Sequence, residues 1–427
     1  MRDIAVNVVG VKFEGIRKTR QDMLGQVMKD CLEARTFGEL TRSLAAAADS
    51  LERLEVFKET KFILDTDKAV QDGVLVRVQA KERKYKVHLG TELQRNDVGL
   101  GAGGVFYNVF GRGERFDANA SIGSQSATPV AISFVKPVNG NPDNLFRLSA
   151  SSTLQHYING ANFKNTLRGL SASYLFNISK LGTTHELKYT LDWRHIYGIE
   201  KDASATVRRN AGHSLKSAIS HTMTYSSLDA AAFPTTGVLL KLSGEVAGVG
   251  GTVRLLRHDV YSRIHAALSL IHPDVSFYLS GRIGHVMPLA GQKLALIDKY
   301  QLGGPLSVRG FALNSLGPKD KNDAIGGDFS VELGAGLSFP LSSSTKDTLR
   351  GHLFANSGVL TNIKYSQSAQ QNVRDMTQMR PNISIGAGLQ VKIGDAKLEF
   401  NFAHPLSMQR GAVFQRALQI GIGLEFL

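Results

Sequence analysis

The spacing of apolar residues changes character at about residue 82. Before that point helical and strand periods are mixed. Val9, Val11 and Phe13 alternate with polar neighbours, which predicts a strand. Leu24, Val27, Met28 and Cys31 then recur at helical spacing. Thr36-Phe37-Gly38-Glu39 has the form of a capping box, in which the Thr hydroxyl and the Glu carboxylate satisfy free N–H groups of the first turn. It opens a second helix whose apolar stripe is Phe37, Leu40, Leu44, Ala48, Leu51 and Leu54. Strand-like segments over 61–65 and 74–80 come next, joined by a polar turn through Asp72-Gly73. Residues 1–81 therefore read as a small α+β domain in the order strand, helix, helix, strand, strand, long enough to bury a modest core.

From about residue 84 the period is two. Over 328–339, Asp328, Ser330, Glu332, Gly334, Gly336 and Ser338 alternate with Phe329, Val331, Leu333, Ala335, Leu337 and Phe339. Over 416–426, Leu418, Ile420, Ile422, Leu424 and Phe426 oppose Gln419, Gly421, Gly423 and Glu425. Segments 397–402 and 238–247 repeat the pattern, the latter with Lys241, Ser243 and Glu245 on its polar face. One apolar and one polar face over about 9–11 residues is the signature of a strand that crosses a bilayer. Strands of a soluble sandwich average only about 5–6 residues. The count of such segments is about 16, with no convincing helix among them. An open edge in lipid would leave backbone groups without partners, so the strands must close. The expected fold over 82–427 is a transmembrane antiparallel β-barrel. A stretch rich in Gly, Pro and Asn, about 290–323, is too long for a simple hairpin, and long loops without structure of their own are usually functional or disordered.

Composition agrees with this division. Charged residues make up 20% and hydrophobic residues 42% of the 427. No run approaches the roughly 18 consecutive apolar residues of a membrane helix. A barrel averages its two faces, so near-neutral hydropathy is expected of it. The 43 glycines suit strands that bend and approach closely. A net charge of +13 is compatible with an anionic membrane surface. No basic run with interleaved aromatics points to nucleic acid. The single cysteine, Cys31, cannot form an internal disulfide, and its helical position suggests burial. Met1-Arg2-Asp3-Ile4 lacks the apolar core of a secretory signal, so either a signal was trimmed or the protein reaches its membrane from the cytosol.

Catalytic and cofactor signals are weak. Gly99-Leu100-Gly101-Ala102-Gly103-Gly104 fits G-x-G-x-x-G. A dinucleotide site needs a helix immediately after the glycines. The next six residues, Val105-Phe106-Tyr107-Asn108-Val109-Phe110, are strand-like instead. The 12 histidines form no zinc-binding pattern. No nucleophile elbow occurs. Neither an enzyme activity nor a cofactor is expected. The sharpest local signal is Val308-Arg309-Gly310-Phe311 after Leu302-Gly303-Gly304-Pro305, inside the long loop. If that loop enters the barrel, Arg309 needs an acidic partner, because a desolvated charge is costly alone. Asp328 and Glu332, on the polar face of the next strand, are the available acids.

These features resemble the outer-membrane insertase family, in which a POTRA domain precedes a sixteen-stranded barrel. Val308-Arg309-Gly310-Phe311 resembles the (V/I)RGF loop motif of that family. The mitochondrial branch, which supplies the central barrel of the sorting and assembly machinery, is similar further. The resemblance there extends over residues 302–311, Ser315-Leu316-Gly317-Pro318, Gly326-Gly327-Asp328, residues 212–217 and Phe233-Pro234-Thr235-Thr236-Gly237, and a single POTRA-like domain suits that branch. It covers nearly the whole chain.

The resemblance implies an insertase of the mitochondrial outer membrane with its POTRA domain in the intermembrane space. β-Barrel precursors would enter through a lateral gate between the first strand, about 85–93, and the last, about 417–427. The residues it assigns to that gate are Tyr85, Val87, Leu89, Gln419, Gly421, Leu424 and Phe426. Gln419, Gly421, Leu424 and Phe426 also resemble the C-terminal signal of barrel precursors. Metaxin-type subunits, the cristae-organising (MICOS) complex and outer-membrane lipid are the implied partners. A passive pore or an export channel is the rival reading. One departure from the family stands out. Asn356, within Phe354-Ala355-Asn356-Ser357-Gly358, occupies the place where bacterial members carry the Asp that pairs with the loop Arg, which directs the expectation to Asp328 or Glu332.

Overall fold

In the computed structural model the chain forms two units, and residues 4–94, 97–123, 129–157, 161, 163–270, 272–393, 396–415 and 418–423 are described. The first unit is a three-stranded sheet covered by helices. Its strands are β1 (Asn7–Glu14), β2 (Phe57–Asp67) and β3 (Gly73–Glu82), in the order β1-β3-β2. β1 runs parallel to the central β3, and β2 antiparallel to it. The register of β1 slips between Val8 and Gly10, which turns Val9 outward and leaves Val8 and Val11 on the core. Such a bulge breaks the strict alternation that residues 9–13 suggest.

The expected first helix is two pieces, α1 (Gln21–Val27) and α2 (Lys29–Leu32), separated at Met28. The second, α3 (Phe37–Arg53), starts at Thr36, whose hydroxyl accepts the Glu39 N–H, while the Glu39 carboxylate accepts the Arg35 N–H. Ala47, one position before the expected Ala48, completes the buried stripe with Leu40, Leu44 and Leu51. Met28, Cys31, Leu40, Val76 and Val78 form the centre of the core. Burial, and secondarily Asp30, pushes the Cys31 thiol up to about 11.

The second unit is one antiparallel sheet of sixteen strands. Its first eleven are β4 (Tyr85–Gln94), β5 (Asp97–Tyr107), β6 (Arg115–Gly123), β7 (Val130–Val138), β8 (Asn141–His156), β9 (Lys164–Ile178), β10 (Thr183–Tyr197), β11 (Gly212–Ser226), β12 (Gly237–Gly251), β13 (Leu255–Ala267) and β14 (Ser276–Pro288). A small hairpin, β15 (Lys319–Asp320) and β16 (Asp323–Ala324), interrupts them. The last five are β17 (Phe329–Pro340), β18 (Leu349–Thr361), β19 (Asn382–Ile393), β20 (Ala396–Ser407) and β21 (Gln419–Gly423). Each strand pairs with its sequence neighbour, β14 with β17 across the hairpin, so β4 and β21 are the two ends of the order.

Polarity is inverted relative to a soluble core. Leu170, Leu187, Leu279, Ile283, Leu333, Leu353 and Phe402 are exposed, while Arg309, Glu332, Gln390, Lys397, Glu399 and Asn401 are buried. The buried polar groups face the interior around which the sheet curls. An apolar exterior around a polar interior is what lipid demands of a transmembrane barrel. Among the described residues no helix is long and apolar enough to span a membrane.

On β9–β11 the outward face carries two aromatic rims. Tyr174, Phe176, His185 and His221 stack near one end, and Trp193, His195, Tyr197 and His213 near the other. From His185 to Trp193 the strand covers about 26 Å at roughly 3.3 Å per residue. With a tilt near 40° that is about 20 Å of height, comparable with the ~25 Å apolar band of such barrels.

Two short helices lie in barrel loops where the residue pattern predicts none, α4 (Ala205–Arg209) and α5 (Ala369–Gln378). Ser204 and Ser368 cap them. The helix α5 is almost wholly exposed, so it carries no apolar stripe to betray it. The stretch 99–104 lies inside β5, which continues to Tyr107 with no helix after it.

The first unit docks on the barrel turns nearest it. Arg20 N–H donates to Gly111 O at 2.7 Å, and Arg115 Nη1 meets Glu55 Oε2 at 3.1 Å. Arg53 pairs with Asp143. The Glu82 carboxylate receives the N–H groups of Lys18 (2.9 Å) and Thr19 (2.7 Å) and the Thr19 hydroxyl (2.7 Å). Thr19 Oγ1 in turn accepts from Asn108 Nδ2 at 2.7 Å.

Candidate functional site: an interior loop tied to the last strands

The segment between β14 and β17, residues 289–328, lies inside the barrel. It is longer at its C-terminal end than the 290–323 stretch that composition suggests. Residues 323–327 pair within the loop itself, Asp320 with Asp323 and Tyr300 with Gly327. A 3₁₀ turn, Leu296–Asp298, places Asp298 against β10, where Arg194 Nη1 and Nη2 reach its two carboxylate oxygens at 2.7 and 3.2 Å. Ser204, at the cap of α4, donates its N–H to Asp323 Oδ2 at 2.6 Å. That is one end of the loop.

The other end holds the Val308–Phe311 motif. Val308 and Phe311 are buried with Leu302, Leu316 and Leu360. A Cβ on Gly358 would lie 2.5 Å from Val308 Cγ2, so that strand position must lack a side chain. Gly310 has φ +85°, and a Cβ there would lie 2.6 Å from the Ala403 methyl, so backbone conformation and space both require glycine.

Arg309 is 1% exposed. Its Nε donates to Glu399 Oε2 at 2.9 Å and its Nη1 to Asn356 Oδ1 at 3.2 Å. The guanidinium carbon stands 5.1 Å from the Phe354 ring centroid. The Arg309 carbonyl accepts the Ser384 hydroxyl at 2.6 Å. Glu399, wholly buried, also receives Gln390 Nε2 (2.8 Å), Lys397 Nζ (3.0 Å) and Asn401 Nδ2 (3.2 Å). An ion pair in this setting is tolerable because each carboxylate oxygen finds donors.

The acid partner is thus on β20, and the expected acids are engaged elsewhere. Asp328 Oδ1 accepts the Ile363 N–H at 2.6 Å. Glu332 Oε2 accepts the Ser307 hydroxyl at 2.6 Å, and its other oxygen lies 3.9 Å from Arg282 Nη1. Chain adjacency favoured β17, but the loop crosses the lumen before Arg309 is reached. Asn356 does face Arg309, as a neutral acceptor with the charge supplied by Glu399. The missed residue had a signal: within 397–402, Lys397, Glu399 and Asn401 alternate with apolar residues, which marks Glu399 as an inward acid.

The loop is also stitched to the final strand. Gly310 N–H donates to Gln419 Oε1 at 2.8 Å, and Gln419 Nε2 donates to Phe311 O at 2.9 Å. One side-chain amide therefore grips the loop backbone on both sides of a peptide, as a strand neighbour would. Backbone bonds Ala312 N–H to Val413 O (2.9 Å) and Gln415 N–H to Gly310 O (2.8 Å) extend the contact. The Phe311 and Phe414 rings meet edge to face at 6.2 Å.

Gly421 pairs with Glu399 on β20. Leu424 and Phe426 lie outside the described residues. On β4, Tyr85 and Val87 are exposed and pair with Phe106 and Gly104 of β5; Leu89 pairs with Ala102. Among the described residues no hydrogen bond joins β4 to β21 or to the loop.

Comparison with known proteins decides the family. The Omp85 superfamily domain matches residues 108–426. The chain belongs to the Omp85 superfamily. Within it, the chain is 31% identical to the sorting and assembly machinery component 50 homolog of Bos taurus, over 99% of this chain and 91% of that protein. The homolog B of Xenopus laevis is 32% identical over the same shares. A SAM50-like protein of Schizosaccharomyces pombe is 28% identical, again over 99% and 91%.

Among solved structures, BamA from Haemophilus ducreyi lacking POTRA domains 1–3 superposes with a TM-score of 0.80 at 20% identity, covering 98% of this chain and 84% of that one. CdiB from Escherichia coli gives 0.59 at 14% identity, over 98% and 76%. These two share the fold of this chain.

Proposed function

We propose that this Omp85 member folds β-barrel precursors and inserts them into the mitochondrial outer membrane, without covalent chemistry. The relatives' name, sorting and assembly machinery component 50, supports the assignment, and their near full-length coverage supports carrying it over. The observation that carries the mechanism is the strand order, in which β4 and β21 are the two end strands. Among the described residues each of these two strands pairs with one sheet neighbour, β4 with β5 and β21 with β20. A seam between two end strands can open without breaking any other ladder of the sheet. An opened edge presents unpaired N–H and C=O groups to an incoming strand, which is β-augmentation.

In this reading Tyr85, Val87 and Leu89 line one side of the gate, and Gln419, Gly421, Leu424 and Phe426 the other. Val308–Phe311 anchors the interior loop beside it. Residues 1–81 act as a POTRA-like domain that receives precursors in the intermembrane space. Metaxin-type subunits and the MICOS complex are its proposed protein partners.

The test is site-specific crosslinking to an arrested barrel precursor in isolated mitochondria. In a Cys31→Ser background, single cysteines go at Val87 and Ile420, with a control at the lipid-facing Leu389. Adducts at the first two positions and none at Leu389 are expected. A pore with intact conductance and no adducts would establish the passive channel instead.

A further inference from the structure

The outer face of the barrel from β7 to β10 bears a furrow that ends in a cationic, aromatic cluster. Strand register sets out its shape. Phe134, Leu148, Ala172 and Tyr189 form one outward row across four strands, and Ile132, Ala150, Leu170 and Leu191 the next. The third row is Val130, Ser152, Arg168 and Trp193. Ala172, Ala150 and Ser152 are short where their neighbours are long, so they form a floor between apolar walls. Two hollows of about 470 and 420 Å³ result, and they share Ile132, Ala150, Leu170 and Leu191.

The furrow ends at one aromatic rim. Arg168 stands with its guanidinium carbon 5.2 Å from the Trp193 ring centroid. Beyond it, His213 stacks on His195 at 3.9 Å, and His195 on Tyr197 at 4.9 Å. Lys164 pairs with Tyr197 in register, and its stem lies against Gly198. Both Arg168 and Lys164 are exposed, and among the described residues neither has a carboxylate within ion-pair distance. Asp192 belongs to the opposite face, where it crowds Gly169. The other rim differs: His185 is already bonded to Thr183 Oγ1 at 3.0 Å and to His221 at 3.1 Å.

We propose that this furrow binds one anionic phospholipid, with acyl chain along Ala172, Ala150 and Ser152 and phosphate at Arg168 and Lys164. Three observations converge on that occupant. The groove is apolar and faces lipid, which selects a hydrocarbon chain. Its mouth lies at the aromatic rim, the level of lipid headgroups. Among the described residues the cations there have no carboxylate within ion-pair distance, and a basic residue near the membrane surface attracts anionic lipid. A guanidinium held over an indole face keeps its N–H edge free for phosphate oxygens.

Trp193 is the single tryptophan of the chain, so it reports on this position alone. The full-length protein is reconstituted in phosphatidylcholine vesicles, and Trp193 fluorescence is titrated with dibrominated phosphatidylglycerol or dibrominated phosphatidylcholine. The anionic lipid is expected to quench at a lower mole fraction, by about fivefold for each basic residue that contributes. In K164Q/R168Q the two curves should coincide, with barrel integrity read from heat-dependent gel mobility. Inorganic phosphate should leave the quenching unchanged, which separates a lipid site from a free-anion site. Identical curves for both lipids in the unsubstituted protein would reduce the furrow to ordinary boundary lipid. Absence of quenching by either lipid would mean that a protein surface covers it. Either result overturns the proposal.

Discussion

Strand β21 is held from inside the barrel, by Gln419 on Gly310 and Phe311, whereas β4, at the opposite end of the same sheet, has no such tie among the described residues. The neighbours differ as well. β21 borders β20, which supplies Glu399 and Asn401 to a filled polar network. β4 borders β5, whose stretch 99–104 contains four glycines and offers few side chains to pack against. Edge strands need some device to control their free backbone groups. Here one edge is tied to a loop, and among the described residues the other meets its neighbour β5. The difference teaches that the loop sets the order of the C-terminal strands, so disturbing the loop should erase the contrast between the two edges.

The largest effect should come from the buried ion pair. Arg309→Ala leaves Glu399 without its main counter-charge, and removing one partner of a buried pair costs about 3–5 kcal/mol. The thermal midpoint of the detergent-solubilised barrel should fall. Hydrogen exchange over 408–423 should rise toward that of β4. An unchanged midpoint would show that Lys397 and Asn401 suffice for Glu399. Arg309→Met combined with Glu399→Gln should cost less than the sum of the single changes, since the two residues share one network.

Gly310→Ala comes next. The new methyl meets Ala403 and holds a positive φ, a strain of about 1–3 kcal/mol. The expected result is loss of protection in the loop with the sheet intact by circular dichroism. Gln419→Leu keeps the volume and removes both amide bonds, leaving Gly310 N–H and Phe311 O unpaired at about 1–3 kcal/mol. It should loosen β21 while leaving β4 as it was; equal loosening of both edges would contradict that division.

The smallest effect concerns the junction with the first unit. Burial works against the Glu82 carboxylate, yet the Thr19 hydroxyl and the N–H groups of Thr19, Lys18 and Arg17 hold it below the usual range. A depressed carboxylate stabilises above its unfolded value, about 4.5 for this residue, and that stability is lost as pH falls through the folded value. Glu82→Gln should therefore flatten the acid limb of the first unit's unfolding curve, with little change at neutral pH relative to pH 5. An acid limb identical to that of the unsubstituted protein would place the acid sensitivity elsewhere.

How far residues alone reach depends on whether a feature is periodic. Strand alternation in 328–339 and 416–426 puts Leu333 and Ile420 on lipid and Glu332 and Gln419 inside, because period two has only one consequence for a pleated strand. The Thr36 cap and the α3 stripe arise equally from local chemistry. The exposed helix α5 escapes notice because no apolar face is needed where nothing packs on it. Arg309 announces itself as a charge that requires a partner, but its partner does not. Glu399 lies 90 positions away in sequence and becomes its neighbour only when a forty-residue loop crosses the lumen and the sheet curls to meet it.

The sequence by itself determined the two units, the inward and outward faces of the strands and the need for a buried counter-charge, since each comes from the chemistry of neighbouring residues. Tertiary structure alone decided that Glu399 supplies that charge, that one amide of Gln419 holds the loop, and that Arg168 and Trp193 end a single furrow. The first two are contacts between positions 90 or more apart along the chain, made where the loop crosses the lumen, and the third follows from the register of β9 on β10.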